Sequence, residues 1–406
     1  MTKNFVIVGG GQAAAQAIQT LQQNKYEGSI TLVGEEIYPP YQRPPLSKKY
    51  MAGELQRERL FLRPLKFYES NNIDLELGAR AIELDVGNSH VRLNNDRLLK
   101  FDGLMLATGS KVRRLKVPGS DLDGIHYVRT LADVDEILPK LKTAKRLVII
   151  GAGYIGLEVA AVSISSGLDV IVLEATDRVM TRTVSTEVSN FYSRYHSKAG
   201  VNLKYLTTVS HFEGNKKVTA VETADGQKLA CDLVVVGIGI EPEVELAETA
   251  GLPCKDGIIV DEFACTEGQN IFAAGDCTNH PNQLLSKRIR LESVQNAIDQ
   301  AKAGIQTFLG EKTPYKTVPW FWSDQYDLKL QIAGLSEGYD QILVRGDPKK
   351  APFAVFYIRA GRVVTVEAVN LPQAFMIGKR LISTGIQVER KKLVDFDFDL
   401  KDLIKL

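Results

Sequence analysis

Twice along the chain a short, wholly apolar run meets a glycine-rich turn and then a stretch of small residues with helical spacing. The first occurrence is FVIVGGGQAAAQAI, beginning at Phe5, and the second is RLVIIGAGYIGLEVAA, beginning at Arg146. Apolar runs this short, stopped by glycine and followed by a helix-period segment, predict a buried parallel strand, a tight turn and a helix. Strands are expected at residues 4–8 and 30–33 around the first helix, and the second unit from about 146 to Glu174, at the end of DVIVLE. Further buried strands are expected at 101–108 (FDGLMLAT), 232–236 and 270–277 (NIFAAGDC).

A proline-rich segment, YPPYQRPPLSKKY, interrupts this alternation. Pro39, Pro40, Pro44 and Pro45 predict a rigid loop without regular structure that leads into a helix near Ser47. After about residue 318 the pattern changes to alternating strands with polar turns, Ala360-Gly361 among them, then a helix and a polar tail. The order predicts an α/β chain with two Rossmann-like dinucleotide-binding domains and a C-terminal α+β domain. The expected boundaries are 1–112 with 245–318 for the first domain, 113–244 for the second, inserted between its halves, and 319–406 for the third. This insertion requires the strand that ends at Gly275-Asp276 to return to the first domain.

Charge narrows the partners. With 50 Lys+Arg against 49 Asp+Glu, the net charge of +1 argues against general nucleic-acid binding and against an electrostatic membrane role. No apolar run is long enough to span a bilayer. The N-terminal FVIV does not read as a signal-peptide core, because the glycine turn interrupts it and cleavage would destroy the motif. The expectation is a cytoplasmic protein. Cys231, Cys254, Cys265 and Cys277 form no close pair and read as reduced thiols, and His90, His126, His196, His211 and His280 show no metal-ligand spacing. No metal is expected.

The glycine turns carry the chemistry. Gly9, Gly11 and Ala14 fill the pattern G-x-G-x-x-G/A, as do Gly151, Gly153 and Gly156. The first glycine makes the tight turn, the second lets backbone approach a pyrophosphate, and the third permits close helix–strand packing. An acidic residue at the end of the next strand takes ribose hydroxyls: Glu35 in the first unit and Glu174 in the second. A carboxylate there also repels a 2′-phosphate, which favours NADH over NADPH, with Arg178 nearby as a possible counterweight. Two such units imply two dinucleotides, and electron movement between them.

The motifs VGGGQAA, YQRPPLSK, LMLATGS, YVRTL, IIGAGYIGLEVAA, VVVGIGIEPEVELAETAGL, IFAAGDC, RIRLESVQNA and PWFWSDQYDLKLQIAGLSEGYD span almost the whole chain. In these the sequence resembles the FAD-dependent, NADH-using ferredoxin reductases of bacterial oxygenase systems, whose fold is glutathione-reductase-like. The resemblance implies that the first fingerprint holds FAD, with Arg43, Ala81, Ala107, Thr108, Gly109 and Arg129 as further contacts. It implies that Lys48 lies beside the flavin N5 edge, where residue type alone would read a solvent-exposed lysine; Arg129 reads equally as an ion-pair residue. Asp276, after Gly275, is expected to accept a hydrogen bond from a ribityl hydroxyl and to sit at a helix N-terminus. Glu292, Ser293 and Val294 are expected at the pyrimidine end of the isoalloxazine.

The second fingerprint, with Tyr154, Ile155, Gly237, Ile238 and Gly239, is expected to hold the nicotinamide cofactor. By resemblance Tyr154 covers the flavin face, and Glu158 pairs with Lys48 and meets the nicotinamide carboxamide. Interdomain packing and a surface glutamate are the alternatives that residue type leaves open. Trp320 is assigned to the electron exit, and Trp322 to core packing.

The implied function passes electrons from NADH through flavin to a [2Fe–2S] ferredoxin, the Rieske type included, that feeds an oxygenase. Alternatives are a rubredoxin reductase, an NADH oxidase or quinone reductase, and a flavoprotein of the apoptosis-inducing-factor kind. The disulfide-reductase reading fails for want of a cysteine pair in residues 35–55. Lys287, Arg288 and Arg290, with Lys312, Lys316 and Lys329, are candidates for docking an acidic partner.

Overall fold

The computed structural model describes residues 3–404. These form two compact units. One gathers the chain up to Gln42 with Gln56–Lys111 and Glu241–Pro319; the other gathers Arg43–Leu55, Val112–Ile240 and the chain from Trp320 onward.

The first unit is built on a parallel sheet whose strands lie in the order Ile271–Ala273, Gly103–Leu106, Asn4–Val8, Ser29–Gly34, Ile73–Leu77. Successive strand residues face opposite ways, so Phe5 and Ile7 enter one core and Val6 and Val8 another. The first core is closed by the helices Gln12–Gln23 and Val294–Phe308, through Ala13, Ala14, Ala17 and Ile18 on one and Ala297, Ala301 and Ile305 on the other. The second core is closed by the antiparallel meander Ala81–Asp85, His90–Leu93, Leu98–Lys100, which contributes Leu84, Val91, Leu93 and Leu99. Each such side chain, buried, stabilises the fold by about 1.5–3 kcal/mol.

The second unit repeats the plan. Its parallel sheet runs Asn202–Lys204, Asp169–Leu173, Arg146–Ile150, Leu233–Val236, Ile125–Tyr127. Val148, Ile150, Val234 and Val236 pack on Phe212, Val218 and Val221 of the hairpin Val209–Gly214/Val218–Thr223. The C-terminal segment of this unit is an antiparallel sheet in the order Trp320–Gln325, Leu328–Gly334, Arg362–Val369, Phe353–Arg359, Gln341–Arg345. The helix Pro372–Thr384 lies against it so closely that a Cβ on Gly378 would stand 2.5 Å from Val366.

Two expectations are corrected. The proline-rich segment does contain regular structure, a 3₁₀ turn at Pro44–Ser47, because Pro44 and Pro45 occupy the first positions, where no N–H is required. Hydrogen-bonded turns, rather than an α-helix, follow it. Asp276 does not stand at a helix N-terminus: the Thr278 N–H closes a turn onto the Gly275 carbonyl at 3.1 Å, and the strand Thr278–Asn282 follows. The nearest downstream helix starts at Val294, with Ser293 as its N-cap.

Candidate active site

In the first fingerprint Gly9 has φ +122°, and a Cβ on it would stand 2.0 Å from the Ala107 carbonyl oxygen. The turn therefore closes on Ala107, which is how the two predicted contacts meet. A Cβ on Gly11 would meet nothing within 4 Å. Gly11 caps the helix Gln12–Gln23 without any side-chain hydrogen bond. An open, uncapped helix N-terminus offers backbone N–H groups to an anion. Ala14 is fully buried in the sheet–helix core. Glu35 lies exposed at the end of its strand, with Arg80 Nη1 at 3.3 Å.

The same unit carries several of the other residues expected at FAD. The Ser110 hydroxyl donates to Asp276 Oδ2 at 2.9 Å, and the Thr108 hydroxyl to the Glu243 carbonyl at 2.6 Å. The Gly275 N–H donates to Gln300 Oε1 at 2.9 Å, and the Thr278 hydroxyl to the same atom at 2.8 Å. Gln300 and Ser110 were not singled out by sequence; both sit in quoted or adjacent segments but are polar residues of ordinary type. Ala81 opens its meander strand. Glu292 accepts from Arg290 at 2.6 Å, and Ser293 Oγ accepts the Asn296 N–H at 3.1 Å at the helix start.

The second fingerprint differs in one respect. A Cβ on Gly156 would stand 2.0 Å from the Gly151 carbonyl oxygen, so glycine is required where the first turn accepts Ala14. Gly151, at φ +100°, would place a Cβ 2.4 Å from the Gly237 carbonyl oxygen, whereas a Cβ on Gly153 would meet nothing within 4 Å. Glu174 binds the turn itself: its carboxylate accepts the Ala152 N–H at 2.7 Å and the Thr176 N–H and hydroxyl at 2.9 and 2.8 Å. Ile155 is exposed on the first helical turn. Gly239, at φ +101°, has the Arg182 guanidinium 3.6 Å from its notional Cβ. Arg182 was not singled out by sequence and is a cation at the cradle's rim.

Lys48 and Glu158 meet. Lys48 Nζ lies 2.8 Å from Glu158 Oε2, and the carboxylate side chain is 2% exposed. Ser47 donates its hydroxyl to Oε2 at 2.5 Å and Ser323 to Oε1 at 2.6 Å. Burial pushes the Glu158 carboxyl up, and the Lys48 ammonium is the largest force holding it down, followed by the two hydroxyls. A surface glutamate is thereby excluded. Arg43 donates to the Arg129 carbonyl at 2.8 Å, and Asp133 accepts the Arg129 N–H at 3.0 Å.

The sequence pattern of the family described as Pyridine nucleotide-disulphide oxidoreductase matches residues 3–301. The chain belongs to this family. A second pattern, Reductase C-terminal, matches residues 320–404. Rhodocoxin reductase of Rhodococcus erythropolis is 41% identical over 399 residues, 98% of this chain and 93% of that protein. Putidaredoxin reductase of Pseudomonas putida is 40% identical over 407 residues, 99% and 96% of the two chains. Among solved structures, the covalent putidaredoxin reductase–putidaredoxin complex superposes with a TM-score of 0.96 at 40% identity, covering 99% of this chain and 98% of that one. Within the pyridine nucleotide-disulphide oxidoreductases the chain is thus a ferredoxin reductase of the oxygenase-system type.

Despite the family's description, all four cysteines of this oxidoreductase are free thiols. Burial pushes Cys231 up to about 12 and Cys254 and Cys265 up to about 11, so none is a ready thiolate nucleophile. The Tyr154 ring packs on Phe321 of the C-terminal sheet with centroids 4.5 Å apart. Trp320 is half-buried against Trp322 and Phe375, with the Lys379 ammonium 5.4 Å from its ring centroid. Two of the docking candidates are committed inside their own unit. Arg288 donates to the Val260 and Asn279 carbonyls, and Arg290 pairs with Asp256 and Glu292. Among the described residues no helix is long and apolar enough to cross a membrane.

Proposed function

We propose that this ferredoxin reductase takes a hydride from NADH, passes it to FAD, and delivers the electrons singly to a [2Fe–2S] ferredoxin that feeds an oxygenase. The balance is NADH plus two oxidised ferredoxins giving NAD⁺, two reduced ferredoxins and one proton. The observation that carries the reading is the pair of open glycine cradles, each at an uncapped helix N-terminus. At Gly11 and Gly153 the space a Cβ would occupy is empty, which fits a pyrophosphate drawn against backbone.

FAD supplies a centre that accepts two electrons together and returns them one at a time. The protein's part is binding and electrostatics. Gly9, Gly11 and Ala14 shape the FAD turn, Glu35 binds the ribose, and Asp276 and the Val294 amide hold the ribityl and pyrimidine ends. Gly151, Gly153, Gly156 and Glu174 hold NADH. Lys48 is the cation for the flavin, kept in place by buried Glu158. Residues 1–112 with 245–318, 113–244 and 319–406 serve as FAD, NAD and C-terminal domains, and the protein works in the cytoplasm.

The test is direct. Stopped-flow bleaching of the flavin should be much faster with NADH than with NADPH, and the reduced protein should reduce a [2Fe–2S] ferredoxin in preference to a rubredoxin. Equal rates with both nucleotides, or indifference to the ferredoxin, would sink the assignment.

A further inference from the structure

The Lys48–Glu158 pair is the end of a longer buried structure. Ser323 Oγ, which donates to Glu158 Oε1 at 2.6 Å, accepts the Gln325 amide N–H at 3.1 Å. Gln325 Oε1 lies 2.8 Å from His196 Nε2, and His196 Nδ1 lies 3.0 Å from the Tyr326 hydroxyl. Glu158, Ser323, Gln325 and His196 are all at most 2% exposed. Four residues from two elements, the strand Trp320–Gln325 with the turn after it and the helix Thr186–Lys198, thus lie on one path to a carboxylate carried by a third, the helix Tyr154–Ser165.

The donors leave one arrangement. Gln325 gives its amide N–H to Ser323, so its carbonyl oxygen faces His196 and must accept. His196 therefore carries its proton on Nε2, and Nδ1 accepts from the Tyr326 hydroxyl. Every hydrogen in the row points toward Glu158. Aligned hydrogen bonds in a low-dielectric interior polarise one another, and here they all stabilise negative charge at one end. Burial lowers the pKa of His196 to about 4, so the ring stays neutral and the row keeps its direction over the ordinary pH range.

We propose that Ser323, Gln325, His196 and Tyr326 form a one-directional hydrogen-bond chain that keeps Glu158 ionised and aimed at Lys48, and so acts as a set of positioning residues for hydride transfer. The proposal rests on the reading of Lys48 as the flavin's cation. Lys48 neutralises Glu158 at Oε2, while the chain serves Oε1. The other titratable groups facing Glu158 are Tyr154 and Tyr192, both held neutral by burial. Near the outer end stand Tyr195 and Asp327, which hydrogen-bond to each other. Losing a donor raises the proton affinity of Glu158, and its protonation dissolves the ion pair.

The experiment measures the rate of flavin reduction by saturating NADH against pH in the FAD-loaded enzyme, for wild type, Ser323→Ala, Gln325→Leu and Tyr326→Phe. The expected result is an acid limb moved up by about one pH unit in Ser323→Ala and Gln325→Leu, the size of a hydrogen bond to a charged group. Tyr326→Phe, which keeps its ring against His196, should move it in the same direction by less. Above the acid limb, where Glu158 is ionised in every variant, the KM for NADH should stay put, since none of the substituted residues belongs to the nucleotide cradle. FAD retention and the melting temperature report whether each variant folds, and Tyr326→Phe, which loses one hydroxyl, keeps the test open if Gln325→Leu does not. An unmoved limb in the folded variants overturns the chain. Lys48→Met and Glu158→Gln then show which layer failed: if they alter flavin reduction, the ion pair stands and only the chain falls; if they do not, the reading of the pair falls with it.

Discussion

The Glu174 carboxylate accepts the Ala152 backbone N–H at 2.7 Å, joining the end of one strand to the turn that ends the strand beside it. The side chain proposed to bind the ribose is thus also a brace of the glycine turn. Arg178, the cation that could welcome a 2′-phosphate, spends its guanidinium on the Val184 and Thr181 carbonyls at 3.1 and 2.9 Å. Arg178 is thus held by backbone carbonyls rather than left open to a 2′-phosphate. Glu174→Ala should raise the KM for NADH about tenfold, the size of ~1.4 kcal/mol. It should also narrow the gap to NADPH; steady-state kinetics with both nucleotides check this.

The two positions of one fingerprint should respond differently. Gly9→Ala forces a Cβ 2.0 Å from the Ala107 carbonyl at a φ of +122°, so it should destabilise the apoprotein itself. The expected loss is more than ~1–3 kcal/mol, since strain and clash add. Gly11→Ala meets empty space in the protein. Its apoprotein should melt like wild type while FAD binds at least tenfold more weakly. Equal effects of the two variants on apoprotein melting would contradict the role given to Gly11.

Glu367 lies buried in the C-terminal sheet and accepts from the Ser185 N–H at 3.0 Å, the Ser185 hydroxyl at 2.6 Å and the Tyr357 hydroxyl at 2.7 Å. Burial pushes its pKa up to about 7, from an ordinary 4.5, and Glu187 adds to the rise. A raised carboxyl pKa means that the folded state holds the proton more tightly than the unfolded one. The stability it contributes is present below pH 4.5 and is lost as pH rises toward about 7, with a total on the order of 3 kcal/mol. Glu367→Gln should flatten that slope between pH 5 and 7 in urea melts, whereas a slope identical to wild type would remove Glu367 as its cause.

Trp320 is half-buried between Trp322, Phe375 and Lys379, and we propose it as the electron exit. Trp320→Ala should slow ferredoxin reduction several-fold and leave flavin reduction by NADH near wild type. Ferredoxin reduction should also slow with added salt, because steered association is screened, while hydride transfer barely changes. Charge reversal at Arg288 or Arg290 should act mainly on stability, since both guanidinium groups are bound within their own unit. Salt-insensitive ferredoxin reduction would exclude electrostatic docking.

The sequence by itself determined the repeated dinucleotide units. An apolar run of strand length, a glycine turn and a small-residue helix are local patterns, and local sterics allow them one reading. The strand-end places of Glu35 and Glu174 followed for the same reason, because the end of a strand is a fixed distance from its turn. What the sequence could not determine is which polar side chains meet. Ser47, Ser323, Gln325 and His196 are ordinary residues in the chain, and only packing brings Ser323 to Glu158, 165 positions away in sequence. The resemblance put Asp276 at a helix N-terminus; the Thr278 turn onto Gly275 decided otherwise. Arg288 and Arg290 looked like free surface charge until the fold placed carbonyls and carboxylates around them. Backbone shape is written in neighbouring residues, but a hydrogen-bond partner is chosen by the cost of leaving a buried polar group alone, and that cost exists only once the chain has folded.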